Sequence, residues 1–325
     1  MTKENFISQI NHYTSQGIPY LFLIDFELES FFLCKLDACA SRGVFYEVKG
    51  QTNFLQNHKK LNRKVNILQK EPISQEAYQR AFHYVRNNIR QGNSFLTNLT
   101  FPTSLELSVN LKETFLASKA KYKLWFRDRF VLFSPECFIR IKHGHIYSYP
   151  MKGTIDASIP NAAELILNND KESWEHNTIV DLIRNDLSMI SSQVKVLRFR
   201  YLDHLKTNHK DLLQVSSEIR GSLPYNWQKK IGEMLLNILP AGSISGAPKD
   251  KTIEIIKAAE EGKRGWYTGV FGIFDGKDLD SAVNIRYIEQ NEKGLQFRSG
   301  GGITAYSEAN AEYKELLDKV YVPAI

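Results

Sequence analysis

Residues 134–154 read SPECFIRIKHGHIYSYPMKGT, two runs of alternating apolar and polar residues about a glycine at 144. Period-two alternation broken by a glycine turn is the signature of an antiparallel hairpin. With Gly144 at the centre of the turn, residues whose numbers sum to twice 144 face each other, which sets Glu136 opposite Lys152 with Cβ atoms roughly 4.5–5.5 Å apart. Such a pair is either an ordinary cross-strand ion pair, worth ~0.2–1 kcal/mol, or an acid and a nucleophile held side by side, each able to change the other's protonation. Gly153-Thr154 lets backbone amides approach a ligand closely at the end of the strand. On this stretch alone both readings stand.

Outward from the hairpin, short apolar and aromatic runs in 18–50 suit strands separated by turns, and polar 51–70 suits a surface helix or connection. Ser74 caps a helix whose apolar positions Ala77, Ala81, Tyr84, Val85 and Ile89 follow helical spacing, with Gly92 placed to stop it. Further strands are expected at 94–101, 121–127, 129–141, 145–151, 266–274, 280–289 and 294–299. Helices are expected near 171–188, 226–238 and 249–260, with a last one from Ser307. No internal repeat or low-complexity linker divides the chain, so two halves interleaved into one body are expected, with 1–70 a short N-terminal part packed onto a main body at 71–325.

At 325 residues with 42% hydrophobic and 24% charged content, the chain can bury a large core. It has no run of about 18 apolar residues, and its start lacks an apolar leader segment, so a soluble, cytoplasmic protein is expected. Cys34, Cys39 and Cys137 are too few and too irregular for a disulfide framework or a zinc site and read as reduced core thiols. A net charge of +6 fits a nucleic acid, an anionic membrane or a small acidic substrate. The densest basic run, His58–Lys64, lacks interleaved aromatics and reads as a solvated face, so no nucleic-acid partner is expected.

Two helices carry acidic residues where apolar ones belong. In the first, Glu172, Glu175 and Asp186 project into the arc of Ile179, Leu182, Ile183 and Leu187. A buried carboxylate needs a nearby cation or a proton. The last helix repeats the spacing with Glu312 and Glu315, and Lys319 follows Glu315 by four residues, a spacing that also suits a simple surface pair. Paired Glu-x-x-Glu oxygens suit a hard divalent ion, and magnesium best. PAGSISGAPK (240–249) leads into a helix and offers amides to an anion, although it lacks the Gly-Lys-Ser/Thr of a phosphate loop. Gly300-Gly301-Gly302 follows a strand, while Tyr267 and Arg286 lie in strands just upstream. Arg286 suits bidentate carboxylate binding.

Taken together, SPECF (134–138), PMKGT (150–154), EHNTIVDLIRNDL (175–187), PAGSISGAPK (240–249), YTGVFGIF (267–274), NIRY (284–287), GGGIT (300–304) and AEYKELLDK (311–319) resemble, in order, the motifs of the chorismate-utilising enzymes. That family contains anthranilate synthase, isochorismate and salicylate synthases, and aminodeoxychorismate synthase component I. The resemblance runs from about Ser74 to Tyr321. It implies an α+β fold of two interleaved halves, with stacked, mainly antiparallel sheets flanked by helices and the site in the cleft between them.

Within the family, Lys152 matches the lysine that aminodeoxychorismate synthases use as a nucleophile on the chorismate ring, where anthranilate synthases typically carry alanine. The water-activating lysine of isochorismate and salicylate synthases is matched by Leu96. The resemblance therefore implies a compact component I with Lys152 as nucleophile and Glu136 as acid. Magnesium would be held by Glu175 and Glu315, with Glu172 and Glu312 in support. Gly153, Thr154, Tyr267, Arg286, Gly300, Gly301, Gly302 and Lys319 would bind chorismate, and ammonia would come from a separate glutamine amidotransferase subunit. The chain departs from the family at Leu96, where glutamine is frequent, and at Gln214, where a histidine is usual. It also lacks much of the N-terminal region that shapes a tryptophan pocket, so tryptophan feedback is not expected. Anthranilate synthase, marked by pyruvate release, and a non-catalytic chorismate-binding subunit are the alternatives.

Overall fold

The structure, a computed structural model, describes residues 1–54, 65–206, 211–260 and 262–322. Among the described residues two nine-stranded sheets are stacked, with every strand pair antiparallel. The first sheet runs, edge to edge, Met151–Asp156, Asp211–Ser222, His145–Ser148, Cys137–Lys142, Leu279–Val283, Val270–Phe274, Tyr20–Ile24 and Phe31–Lys35, with Ser192–Lys206 also paired to Asp211–Ser222. The second runs Gly246–Ala247, Leu96–Leu107, Gly294–Ile303, Tyr287–Asn291, Phe130–Ser134, Tyr122–Phe126, Val44–Val48 and Gln51–Thr52, with Ile67–Glu71 also on Leu96–Leu107. Strands from both ends of the chain enter both sheets, so the interleaving is literal.

Alternation sorts the core into layers. Leu21, Leu23, Phe271 and Ile273 of the first sheet meet Tyr46, Tyr122, Leu124 and Leu132 of the second in one buried cluster between the sheets. Their strand neighbours Tyr20, Phe22 and Phe274 point outward against the helices Lys3–Ser15, Asp170–Ser188 and Ile231–Asn237. With both faces covered, Tyr20–Ile24 is buried throughout and reads YLFLI, an unbroken apolar run. The outer face of the second sheet packs Leu99, Phe101 and Ile303 against Tyr78, Phe82 and Val85 of Gln75–Arg90, Ile255 of Lys249–Ala259 and Leu316 of Ala309–Asp318.

The helix at Gln75–Arg90 is capped by Ser74 as expected, and Gly92 follows it in the left-handed conformation at φ 79°. Tyr84, at an apolar-spaced position, is nonetheless exposed. The expected helix at 226–238 is instead a short turn at Trp227–Lys229 and a helix at Ile231–Asn237. In 51–70 the described ends are strands rather than a helix, and the basic run His58–Lys64 lies outside the described residues. The long strands Ser192–Lys206 and Asp211–Ser222 were not expected; bulges between Ser192 and Tyr201 shift their register and break the alternation of VKV and RFRY into short pieces. The three cysteines are free and buried. Among the described residues, no helix is long and apolar enough to cross a membrane.

Candidate active site

The hairpin exists, but its register is one residue shorter than the glycine-centred reading. His143 and Gly144 both sit at positive φ (51° and 73°), the two-residue type I′ turn that matches strand twist. Lys142 therefore pairs with His145 and Arg140 with Tyr147, where the ladder ends. Glu136 and Lys152 are not cross-strand partners. Glu136 precedes the strand Cys137–Lys142, and Lys152 belongs to the next strand, Met151–Asp156. There Met151 pairs with Ser216 and Thr154 with Gln214, so one extra residue bulges out between them. The bulge places Lys152-Gly153 out of the ladder, with Gly153 at φ 85°.

Both residues nevertheless line one cavity of 390 Å³ between the sheets, and so does every other residue singled out for the site. The first sheet contributes Lys152, Gly153 and Thr154, with Glu136 just before its strand Cys137–Lys142; the helix Asp170–Ser188 contributes Glu172 and Glu175, and the last helix contributes Glu312 and Glu315 with Lys319 just beyond its end. Gly300, Gly301 and Gly302 form the opposite floor. They lie within the strand Gly294–Ile303, paired to Thr100, Leu99 and Asn98, rather than after it. Tyr267 sits in a turn and Arg286 in the break where the chain leaves Leu279–Val283 of the first sheet for Tyr287–Asn291 of the second, so neither is a strand residue. Arg286 takes φ 52°, and its guanidinium lies 5.0 Å from the Tyr321 ring centre.

Electrostatically the cavity is a set of interlocked opposite charges. Lys152 Nζ is 2.7 Å from Glu175 Oε2, and Lys319 Nζ is 2.5 Å from Glu315 Oε1 while donating to Gly300 O at 2.8 Å. Burial pulls the Lys152 ammonium down, but Glu175, then Glu172 and Glu315, outweigh it and hold Lys152 above its ordinary value. With Glu175 facing it, Lys152 is therefore an ammonium, not the neutral amine that nucleophilic attack requires. Glu136 is raised as well, which for a carboxyl favours the neutral form: burial pushes it up against the hydrogen bond from Ser243 and the charges of Arg286, Lys152 and Lys319. Burial also raises the Tyr267 hydroxyl to about 12.

Three of the four glutamates press on bare backbone. A Cβ at Gly153 would come 3.1 Å from Glu172 Oε2, and one at Gly301 would come 3.2 Å from Glu312 Oε2 and 3.3 Å from Glu315 Oε1. Among the described residues no three His, Cys, Asp or Glu side chains converge into a ligand set of their own. The carboxylates of Glu172, Glu175, Glu312 and Glu315 are oxygen donors of the kind a hard divalent ion takes together with waters and an anionic substrate.

Leu96 and Gln214, the two departures, both face the cavity, and Gln214 Nε2 reaches Thr154 Oγ1 at 3.5 Å. Asn98, Ser243 and Thr268 also line it. Sequence reasoning assigned none of these three a role. Ser243 donates to Glu136 Oε1 at 2.6 Å across 107 positions of chain, a separation that no local pattern reveals.

The chorismate binding enzyme family matches residues 6–324 of the chain. Over 323 residues the chain is 52% identical to an uncharacterised PabA-like protein of Pasteurella multocida, covering 99% of each. Aminodeoxychorismate synthase component 1 of Salmonella typhimurium is 33% identical over 216 residues, which are 63% of this chain and 46% of that protein. The solved anthranilate synthase component I of Streptococcus pneumoniae superposes with a TM-score of 0.66 at 27% identity, covering 78% of this chain and 59% of that one. Stacked antiparallel sheets, a charged cleft between them and a match along nearly the whole chain agree: this protein belongs to the chorismate binding enzyme family.

Proposed function

We propose that the chain is component I of an aminodeoxychorismate synthase, converting chorismate and ammonia to 4-amino-4-deoxychorismate, with a separate glutamine amidotransferase supplying the ammonia. The observation that carries this reading is the lysine at 152, lifted out of its ladder by a bulge and aimed into the cleft beside Glu175. Arg286 and Tyr267 bind the enolpyruvyl carboxylate, Gly153, Thr154 and the bare backbone of Gly300–Gly302 let the ring sit flat against main chain, and Lys319 adds positive charge. Magnesium, held by Glu175 and Glu315 with Glu172 and Glu312 beside them, would neutralise the ring carboxylate.

Once the Glu175 ion pair is parted and the ammonium has given its proton to solvent, the Lys152 amine bonds to C2. Both ring double bonds shift, C1=C2 to C1=C6 and C5=C6 to C4=C5, the C4–O bond breaks, and Glu136 gives its proton to the departing hydroxyl, which leaves as water. Ammonia then bonds to C4, both double bonds return to C5=C6 and C1=C2, and the C2–N bond breaks. Lys152 is released as an amine, and the surplus proton on the new amino group restores Glu136. Burial shifts Glu136 toward the protonated form that the first step uses.

Incubating the chain with chorismate, magnesium and an ammonium salt should yield 4-amino-4-deoxychorismate by mass spectrometry, with no pyruvate. Anthranilate with pyruvate would sink the reading and make the chain an anthranilate synthase. A Gly301→Ala substitution, which sets a methyl against Glu312 and Glu315, should raise the magnesium concentration for half-maximal rate by about tenfold. An unchanged magnesium dependence would remove the last helix from the ion's site.

A further inference from the structure

We propose that Ser243, set in place by the Asp186–Lys249 ion pair, is the positioning residue that fixes the Glu136 carboxyl for proton delivery to the leaving hydroxyl. This rests on the reading of Glu136 as the acid. Glu136 is not oriented by the hairpin, whose ladder stops at Arg140. Its carboxyl is met instead by the Ser243 hydroxyl, donating to Oε1 at 2.6 Å.

Ser243 sits in a single 3₁₀ turn, Gly242–Ile244, too short to hold its own geometry. The turn is clamped from outside. Lys249 Nζ donates to Ile238 O at 3.0 Å and to Asp186 Oδ1 at 2.9 Å, so one ammonium ties the chain before the turn, the chain after it and the glutamate-bearing helix. The Gly242 amide bonds to the Asp186 carboxylate. A Cβ on Gly242 would come 3.1 Å from Asp186 Oδ2 and 2.8 Å from Leu182, so the turn seats flush on the helix only because residue 242 is glycine. Arg264 holds the far end through Ile244 O at 2.9 Å. A chain of contacts thus runs from Lys249 through Asp186 and Gly242 to Ser243 and Glu136. The buried acid of RNDL and the lysine of GAPK act together on a carboxyl that neither touches.

The titratable and charged groups facing Glu136 are Arg286 from the break between the sheets, Lys152 from the bulge and Lys319 from the end of the last helix. The Ser243 hydrogen bond lowers the Glu136 titration, so losing the hydroxyl moves it up. Asp186→Asn separates two causes. Removing a negative charge acts by Coulomb's law to move Glu136 down, whereas loosening the turn and its serine moves Glu136 up.

The test is a carbon-13 carboxyl titration of the glutamate-labelled full chain, with Glu136 assigned through Glu136→Gln. Kinetics with chorismate, magnesium and ammonium, and melting temperature, are measured on the same samples. For Ser243→Ala the expected result is an upward move of Glu136 and a fall in kcat of about tenfold, with KM changed by less than about twofold. Ser243→Thr should restore both, and Asp186→Asn should also move Glu136 up. An unmoved Glu136 in Ser243→Ala, or a downward move in Asp186→Asn, overturns the proposal. If the unaltered chain forms no 4-amino-4-deoxychorismate, the proposed activity falls, while the titrations still decide the positioning role.

Discussion

Lys152→Ala is expected to cut formation of 4-amino-4-deoxychorismate by about a thousandfold or more, with far-ultraviolet dichroism unchanged. The loss follows from where the bulge puts the side chain. Lys152 is held against Glu175 at 2.7 Å in a cavity whose other cations are Arg286 and Lys319. Lys319 cannot substitute, because it is committed to Glu315 and Gly300 O on the opposite wall. Two roles for Lys152 must be told apart: nucleophile, or counter-charge that keeps the glutamate wall from repelling an anionic substrate.

Lys152→Arg separates them. Arginine keeps the charge and can pair with Glu175, but its guanidinium stays protonated and is no nucleophile. If Lys152 bonds to C2, both variants are inactive. If it supplies charge alone, the arginine variant recovers most of the rate. Truncation removes a partner from Glu175, which is only 5% exposed, so the melting temperature of Lys152→Ala, set beside that of the charge-matched Lys152→Ala/Glu175→Gln, shows whether the loss comes from destabilisation.

The fold was legible wherever one face of an element is buried and the other is not. Gln75–Arg90 announced itself through Ser74 and the spacing of Val85 and Ile89, and the carboxylates at Glu175 and Asp186 stood out because they interrupt an apolar arc. Both are buried, and each has a lysine where burial of a carboxylate demands a cation, Lys152 in one case and Lys249 in the other. What failed was register. A glycine in a turn does not say whether one residue or two close it, and His143 also taking positive φ shifted every facing pair by one. Glu136 and Lys152 still meet in one cavity, but through a bulge and a sheet-to-sheet cleft rather than across a ladder. The contacts that complete the site, such as Ser243 with Glu136, join segments too distant in sequence for any local pattern to link them.

Arg264→Leu is expected to be the most destabilising single change near the site, and to lower activity although Arg264 lies outside the cavity wall. The guanidinium is 2% exposed. It forms a two-point pair with Glu260, Nη2 to Oε1 at 2.5 Å and Nε to Oε2 at 2.9 Å. Its remaining donors reach Asn98 O at 2.7 Å, Ile244 O at 2.9 Å and Thr268 Oγ1 at 3.3 Å. Glu260 in turn accepts from the Thr100 amide and hydroxyl at 2.8 and 3.0 Å. One buried pair therefore fastens the strand Leu96–Leu107, the serine turn and the turn carrying Tyr267, three walls of the cavity. Removing the arginine strands the Glu260 charge and leaves main-chain carbonyls without donors, a loss of about 3–5 kcal/mol. For a chain of this size that is a fall in melting temperature of roughly ten degrees. The partner substitution Glu260→Leu, added to Arg264→Leu, removes the stranded charge and should recover part of the melting temperature. It should not recover kcat, because Asn98, Ile244 and Thr268 still lack the donor that aligns them. Full recovery of both would show that the pair serves stability alone and that the walls align without it.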